Sequence, residues 1–155
     1  MKLYRFSPIT GKEQLLEAVS CIAKNTTQLC QKIIGEELPI NPLTVFSHYH
    51  EEFENLKKIL FELGSQVSEA NGPYVKLGDP IQLPNNLLDQ LRVRQPDPYR
   101  MQVGCSDFVV PNYVEFKNKY LNKCATNLRL ISRPEYEMIE FFDPDFDVLA
   151  YILSN

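Results

Sequence analysis

Two arginines separated by one residue lie in a segment, DQLRVR, that alternates between apolar and polar side chains. If this segment is a strand, Leu91 and Val93 lie on one face and Arg92 and Arg94 on the other. Arginine recognises carboxylate or phosphate groups through bidentate hydrogen bonds. The pair therefore predicts either a clamp for an anionic ligand or an internal network of ion pairs, and the sequence leaves both interpretations open.

Acidic residues on neighbouring strands are candidates for ion pairs with these arginines or for catalysis. Asp107 shares a strand face with Cys105, and we expect it to be the acidic residue nearest to Arg92. Glu137 and Glu140 lie on opposite faces of one predicted strand, and the sequence does not say which faces a cavity. A desolvated glutamate there could act as a general base, whereas the alternative is a solvated or paired carboxylate.

Two histidines flank Tyr49 where a predicted strand meets a helix. His48 and His50 could bind a metal from a strand but not from one helical face, because only strand residues two apart point the same way. One interpretation is that both imidazoles are solvated near the helix N-terminus. The other is that His48 binds a ligand or acts in acid–base chemistry.

An acidic cluster, DPDFD, comes just before the last predicted strand. Asp143, Asp145 and Asp147 occupy every second position, as the first ligands of an EF-hand calcium loop do. However, the segment lacks the glycine and the distal glutamate of such a loop. Asp-Pro favours turn initiation. We therefore predict a turn into the strand and not a calcium site.

The composition predicts one globular domain without a nucleic-acid or membrane partner. The chain has 155 residues, 44% of them hydrophobic, and a net charge of -4, which disfavours binding to a polyanion. There is no apolar run long enough to span a bilayer and no apolar segment of a secretion signal near the start. The four cysteines are widely spaced, which favours reduced thiols and a cytoplasmic location. A homodimer stays open.

The elements that position these residues form two similar halves. A helical segment, 12–34, precedes them, and its Asn25, Thr26 and Thr27 leave a kink or two helices open. Each half is then predicted as strand, helix and three strands: 43–47, 50–63, 65–70, 73–78 and 89–94, followed by 105–110, 111–121, 127–132, 136–142 and 147–153. Asn71-Gly72 is a strong hairpin signal between two of these strands. Asn112, with Glu115 three residues later, has the spacing of a helix N-cap with a capping box.

Residue offsets between the halves support an internal repeat. Glu52 and Glu115, each followed by Phe, are 63 residues apart, as are Val67 and Leu130 in the next strand. The last strands align at an offset of 58, with Asp89 and Asp147 equivalent. We therefore predict an α+β fold with two tandem βαβββ modules, 43–94 and 105–153, in a curved mixed sheet. The domains are an N-terminal helical segment, 1–40, and a domain of two modules, 41–155.

The tandem modules and the segment EFFDPDFDVLAY resemble the vicinal oxygen chelate superfamily, which includes glyoxalases, bleomycin-resistance proteins and extradiol dioxygenases. The leading helical segment, YVKLGDPI and RVRQPDPYRMQVGCSDFVV look more specifically like its bacterial YecM-type branch. The resemblance implies a divalent metal on the concave face, bound by residues on the first and last strands of each module.

The ligand positions that the resemblance implies do not carry metal ligands here. They fall on Pro42, Arg92, Cys105 and Ala150. Proline and alanine cannot ligate a metal, arginine repels one, and a single cysteine does not make a site. A shift of two residues offers a set that is no better: Thr44, Arg94 or Gln90, Asp107 and Ile152. We therefore expect no metal and no other cofactor.

These arguments favour a metal-free module that binds a small anionic molecule in the concave sheet. The candidate ligand-binding residues are His48, Arg92, Arg94, Asp107 and Glu140. One alternative is an enzyme of the superfamily's lyase or isomerase type, metal-dependent if the ligand positions are misaligned. A second alternative is a scaffold for interactions with other proteins.

Overall fold

The computed structural model describes residues 4–68 and 72–154, which form three helices and eight strands. A long helix precedes two βαβββ units. In chain order the elements are α1 (Lys12–Ile34), β1 (Ile40–Phe46), α2 (His50–Leu63), β2 (Gly64–Ser68), β3 (Tyr74–Gln82), β4 (Leu87–Arg94), β5 (Gly104–Phe108), α3 (Tyr113–Tyr120), β6 (Leu128–Ser132), β7 (Glu137–Phe141) and β8 (Val148–Leu153).

The eight strands form one curved, open sheet with the order β2-β3-β4-β1-β5-β8-β7-β6. The order reads the same from either edge when β1 is matched with β5, β2 with β6, β3 with β7 and β4 with β8. The first strand of each unit pairs in parallel with its last strand, and β1 and β5 join the units in antiparallel fashion. This topology confirms the predicted α+β fold with tandem βαβββ units.

The three helices cover one face of the sheet and form the main core with it. The sheet contributes every second residue of its strands to this core, among them Leu43, Leu91 and Ile139, which are all fully buried. Helix α1 lies against the central strands, where the Thr26 and Ser106 hydroxyls lie 2.7 Å apart. Gly104 allows this approach, because a Cβ there would lie 2.4 Å from Ile22 Cδ1 and 2.6 Å from the Thr44 carbonyl oxygen.

Several sequence predictions need correction at the level of elements. Helix α1 is continuous over Lys12–Ile34, so the alternative of two helices is wrong; the Asn25 and Thr26 side chains bond to carbonyls of the preceding turn and do not interrupt it. Strand β3 extends through the predicted loop to Gln82, and a register shift between Lys76 and Ile81 accommodates Pro80. The predicted hairpin turn at Asn71 lies outside the described residues, although Gly72 has the positive φ of 105° that such a turn favours.

Other local predictions are confirmed. Asn112 caps α3, and its side chain accepts a hydrogen bond from the Glu115 backbone N–H at 3.0 Å. The DPDFD segment is a turn, in which the Asp143 carboxylate accepts a hydrogen bond from the Asp145 N–H at 2.8 Å. Across residues 4–68 and 72–154, we find no helix of the length and apolarity that a membrane span requires.

Candidate functional site: an arginine-lined cavity on the concave face

The face of the sheet opposite the helices is concave and contains a cavity of about 310 Å³. We call it the arginine cavity because Arg92, Arg94, Arg100 and Arg133 line it, with Asp107 as the one carboxylate among its described lining residues. The period of two residues per strand explains its composition: where Leu91 faces the helices, its neighbour Arg92 faces the cavity. The charges of the lining make the cavity electropositive.

An apolar floor supports the cations. Phe46, Cys105 and Leu149 are buried beneath the concave face, and Tyr151 packs against them. The guanidinium carbon of Arg94 lies 3.5 Å from the centre of the Phe46 ring, and that of Arg92 lies 4.5 Å from the centre of the Tyr74 ring. Cation–π contacts of this kind hold both arginines in place without neutralising them.

One side-chain nitrogen of Arg92 and one of Arg94 are unsatisfied within the described residues. The Nε atom of each is buried and has no hydrogen-bond partner within the described part of the chain. Burial lowers the pKa of Arg94, and the positive charge of Arg100 acts in the same direction. A guanidinium nevertheless stays protonated at neutral pH. The cavity therefore holds two cations whose desolvation the protein itself does not fully offset.

Asp107 faces the same cavity, as the sequence predicted. Burial raises the pKa of its carboxyl to about 6, and the nearby Arg92 opposes this shift. The two side chains do not form one of the ion pairs found among the described residues. Burial also raises the pKa of the Cys105 thiol to about 12, with Asp107 contributing, so this cysteine stays protonated.

Glu140 is on the concave face, whereas Glu137 is on the helix-covered face, which answers the question that the sequence left open. The Glu140 carboxylate is fully buried and forms a short charged contact with Arg129. It also accepts a hydrogen bond from the Tyr151 hydroxyl at 2.8 Å and lies 3.8 Å from Arg100. With these partners, Glu140 is a buried counter-ion to Arg100 and Arg129.

Glu137 contacts residues of α3 and not those that surround Glu140. Its carboxylate accepts hydrogen bonds from the Tyr113 hydroxyl and from Lys117 Nζ, both at 2.7 Å. These bonds lower its pKa and anchor α3 to β7.

His48 lies at the end of β1, outside the lining of the arginine cavity. Its Nε2 donates a hydrogen bond to the Gln102 carbonyl at 2.9 Å, so Nδ1 accepts one from the Ser7 hydroxyl at 2.7 Å. Tyr4 stacks on the imidazole with ring centres 3.7 Å apart, and burial lowers the His48 pKa. These contacts tie the N-terminal segment to the connector before β5. Of the two interpretations of His48, the solvated imidazole does not hold, because the ring is half-buried and both of its nitrogens are hydrogen-bonded.

A divalent metal does not fit the positions that the resemblance implies. Pro42, Arg92 and Cys105 lie on the concave side, where they offer a ring, a cation and a protonated thiol. Ala150 faces the helices, because it pairs with Ser106 in the same way that Leu91 pairs with Leu43. No group of three or more potential metal ligands occurs among the residues that the structure describes.

This pairing corrects the predicted alignment of the repeat. The last strands correspond at an offset of 59 residues and not 58, since Leu91 matches Ala150. Tyr151 is therefore the second-module counterpart of Arg92. The last strand of the first unit places Arg92 and Arg94 in the concavity, whereas the last strand of the second unit places Tyr151 there and no cation.

The acidic turn is held by basic residues from the N-terminal region. Lys32 Nζ lies 2.7 Å from the Asp143 carboxylate and 3.7 Å from that of Asp145. Arg5 and Asp147 form an ion pair at 2.7 Å. The cluster therefore joins α1 and the N-terminal segment to the sheet.

Several residues of the site were not found by sequence reasoning. The offset of 59 in the last strands would have placed Tyr151, and alternation within β6 would have placed Arg129 on the same face as Glu140. Arg100 and Arg133 lie in connecting segments, where no periodicity indicates the direction of a side chain. Their contribution depends on the path of the chain around the sheet.

Neither a protein-family model nor a curated protein matches this sequence. A solved structure described as "Structural Genomics, Protein EC4020" is similar to this chain, with a TM-score of 0.70. The match covers 99% of this chain and 91% of that one at 13% sequence identity. At this identity the likeness shows a shared fold alone.

Proposed function

We propose that this protein binds a small anionic molecule in the arginine cavity without the help of a metal. The observation that carries the proposal is the contrast between two sets of arginines. Arg100 and Arg129 are paired with Glu140, whereas Arg92 and Arg94 line the cavity and each have a buried Nε without an acceptor among the described residues. A carboxylate or phosphate bound in the cavity would supply a counter-charge to these two guanidinium groups.

The energetics favour an anion over water as the occupant. Burying a guanidinium without a counter-charge costs free energy, and a hydrogen-bonded anion recovers part of it. Charged hydrogen bonds contribute about 1.5–3 kcal/mol each. The cavity volume of about 310 Å³ is at the lower end of the range for small-molecule sites, which suits a small metabolite-sized anion.

A ligand titration tests this proposal. Acetate and inorganic phosphate should raise the melting temperature, since a ligand that binds only the folded state stabilises it. Arg94→Gln should weaken acetate binding about tenfold or more, which corresponds to one lost charged hydrogen bond. Lys58→Gln is the matched control, because it removes the same charge from an exposed position on α2, a helix on the opposite face of the sheet.

The outcomes separate the three classes of function. Binding of acetate or phosphate that Arg94→Gln weakens and Lys58→Gln does not supports the proposal. Stabilisation by zinc or manganese ions alone would point to a metal-dependent enzyme, and no response to any probe would point to a scaffold. Equal losses in the two variants would mean that only net charge matters, and would contradict the site.

A metal-independent enzyme is the second candidate, favoured by the position of Asp107. Its carboxyl has a pKa of about 6 and faces the cavity beside Arg92, so it is suited to accept a proton near neutral pH. In such a step a C–H bond next to a carbonyl breaks, the proton moves to Asp107, and Arg92 stabilises the resulting enolate oxygen. Deuterium exchange of pyruvate in D₂O, lost in Asp107→Asn, is the corresponding test.

A further inference from the structure

A second cavity of about 420 Å³ lies beside the arginine cavity, where the concave face meets the loop between β5 and α3. We call it the side cavity. Its lining combines apolar residues of the loop between β5 and α3 with residues from β1, β3 and β8, including Pro42, Tyr74, Val109, Pro111 and Ile152. Its volume is in the range of sites that hold small organic molecules.

The two cavities share a wall. Arg92, Asp107 and Leu153 line both of them. A carboxylate that bonds to Arg92 therefore lies at the junction, and the remainder of the same molecule can extend into the side cavity. A ligand confined to the arginine cavity would leave the side cavity filled with water.

The side cavity differs from the arginine cavity in charge. Of its described lining residues only Arg92 and Asp107 are charged, and both belong to the shared wall. Its other polar groups already have protein partners. The Asn41 amide bonds to the Asp89 carboxylate at 2.6 Å, and the Tyr74 hydroxyl donates to Gln90 at 2.8 Å. The surface offered to a ligand is thus largely neutral.

We propose that the ligand is a monocarboxylate whose uncharged, mainly apolar body occupies the side cavity. This inference rests on the proposed function, because the carboxylate is the group held by the arginines. A second negative charge in the side cavity would face Asp107 without a cation other than the already engaged Arg92, so dicarboxylates should gain nothing from their second acid group.

The test is an NMR titration of the full chain with acetate, butyrate, hexanoate and succinate. Burying methylene groups should make hexanoate bind about tenfold or more tightly than acetate, while succinate should bind no tighter than butyrate. Val109→Asp places a charge at the half-exposed rim of the side cavity and should abolish the gain for hexanoate. It should change acetate affinity by about twofold at most, because exposed charges are screened.

Val114→Asp is the matched control, because Val114 is exposed on α3 and lines neither cavity. It should leave both affinities unchanged. If acetate binds and hexanoate binds no more tightly than acetate, the arginine site stands. The inference that an apolar part of the ligand occupies the side cavity is then overturned. If neither acetate nor hexanoate binds but phosphate does, the inference fails and the arginine site stands; if phosphate does not bind either, both proposals fail. Equal effects of the two variants, or tighter binding of succinate than of hexanoate, would also overturn the inference. The chain-length series in the unmodified protein decides the matter even if Val109→Asp does not fold.

Discussion

Replacing Asp107 by asparagine is expected to stabilise the protein at neutral pH. The carboxylate loses water on folding, and this desolvation outweighs the attraction of Arg92, so the pKa rises from 3.8 to about 6. The charged form therefore destabilises the folded state. Asparagine keeps the shape of the side chain and removes the charge.

The size of the effect follows from the shift in pKa. Two units correspond to about 3 kcal/mol, and because the side chain is only half-buried, solvent screening reduces this to about 1–2 kcal/mol. For a chain of this size the melting temperature should rise by about 3–6 °C. The destabilisation caused by the Asp107 carboxylate is fully present above pH 6, where the group is charged in both the folded and the unfolded state. It disappears below the unfolded pKa of 3.8, where the group is neutral in both.

The assay is denaturant or thermal unfolding of both proteins between about pH 4 and pH 7.5. The stability difference should be largest at the high end and should shrink as the pH falls through 6. The control is Asp79→Asn, an exposed aspartate on β3, whose effect should be within about 0.5 kcal/mol. A difference that is absent at pH 7.5, or that is equal at both ends of the range, would refute the desolvation argument.

Two further substitutions test the packing that positions the site. Gly104→Ala should destabilise the protein by about 2–3 kcal/mol in chemical denaturation, because the added methyl group meets the Thr44 carbonyl. Gly11→Ala, where nothing lies within 4 Å, should change stability little, and similar losses in both would contradict the close approach of α1. Asn112→Ala should cost about 1 kcal/mol by removing the cap of α3. Asn112→Asp should retain most of that stability, and a loss equal to that of alanine would mean that the cap does not contribute.

The sequence by itself determined which residues share a face within each strand. Because side chains alternate with a period of two, the segment around Arg92 and Arg94 had one possible division between the core and the opposite face. The same reasoning placed Asp107 beside Cys105, and local turn chemistry identified the cap at Asn112 and the turn at Asp143. These features depend on neighbours within a few residues, so the sequence contains the necessary information.

Tertiary structure decided how faces and cavities combine. The pairing of Ala150 with Ser106 showed that the repeat shifts by one residue in β8, and a shift of one residue moves a side chain to the other face of the sheet. Whether Glu140 was free or neutralised depended on Arg100 and Arg129, which lie 40 and 11 residues away along the chain. Contacts at such separations depend on strand order and sheet curvature, which residue spacing within one segment does not encode.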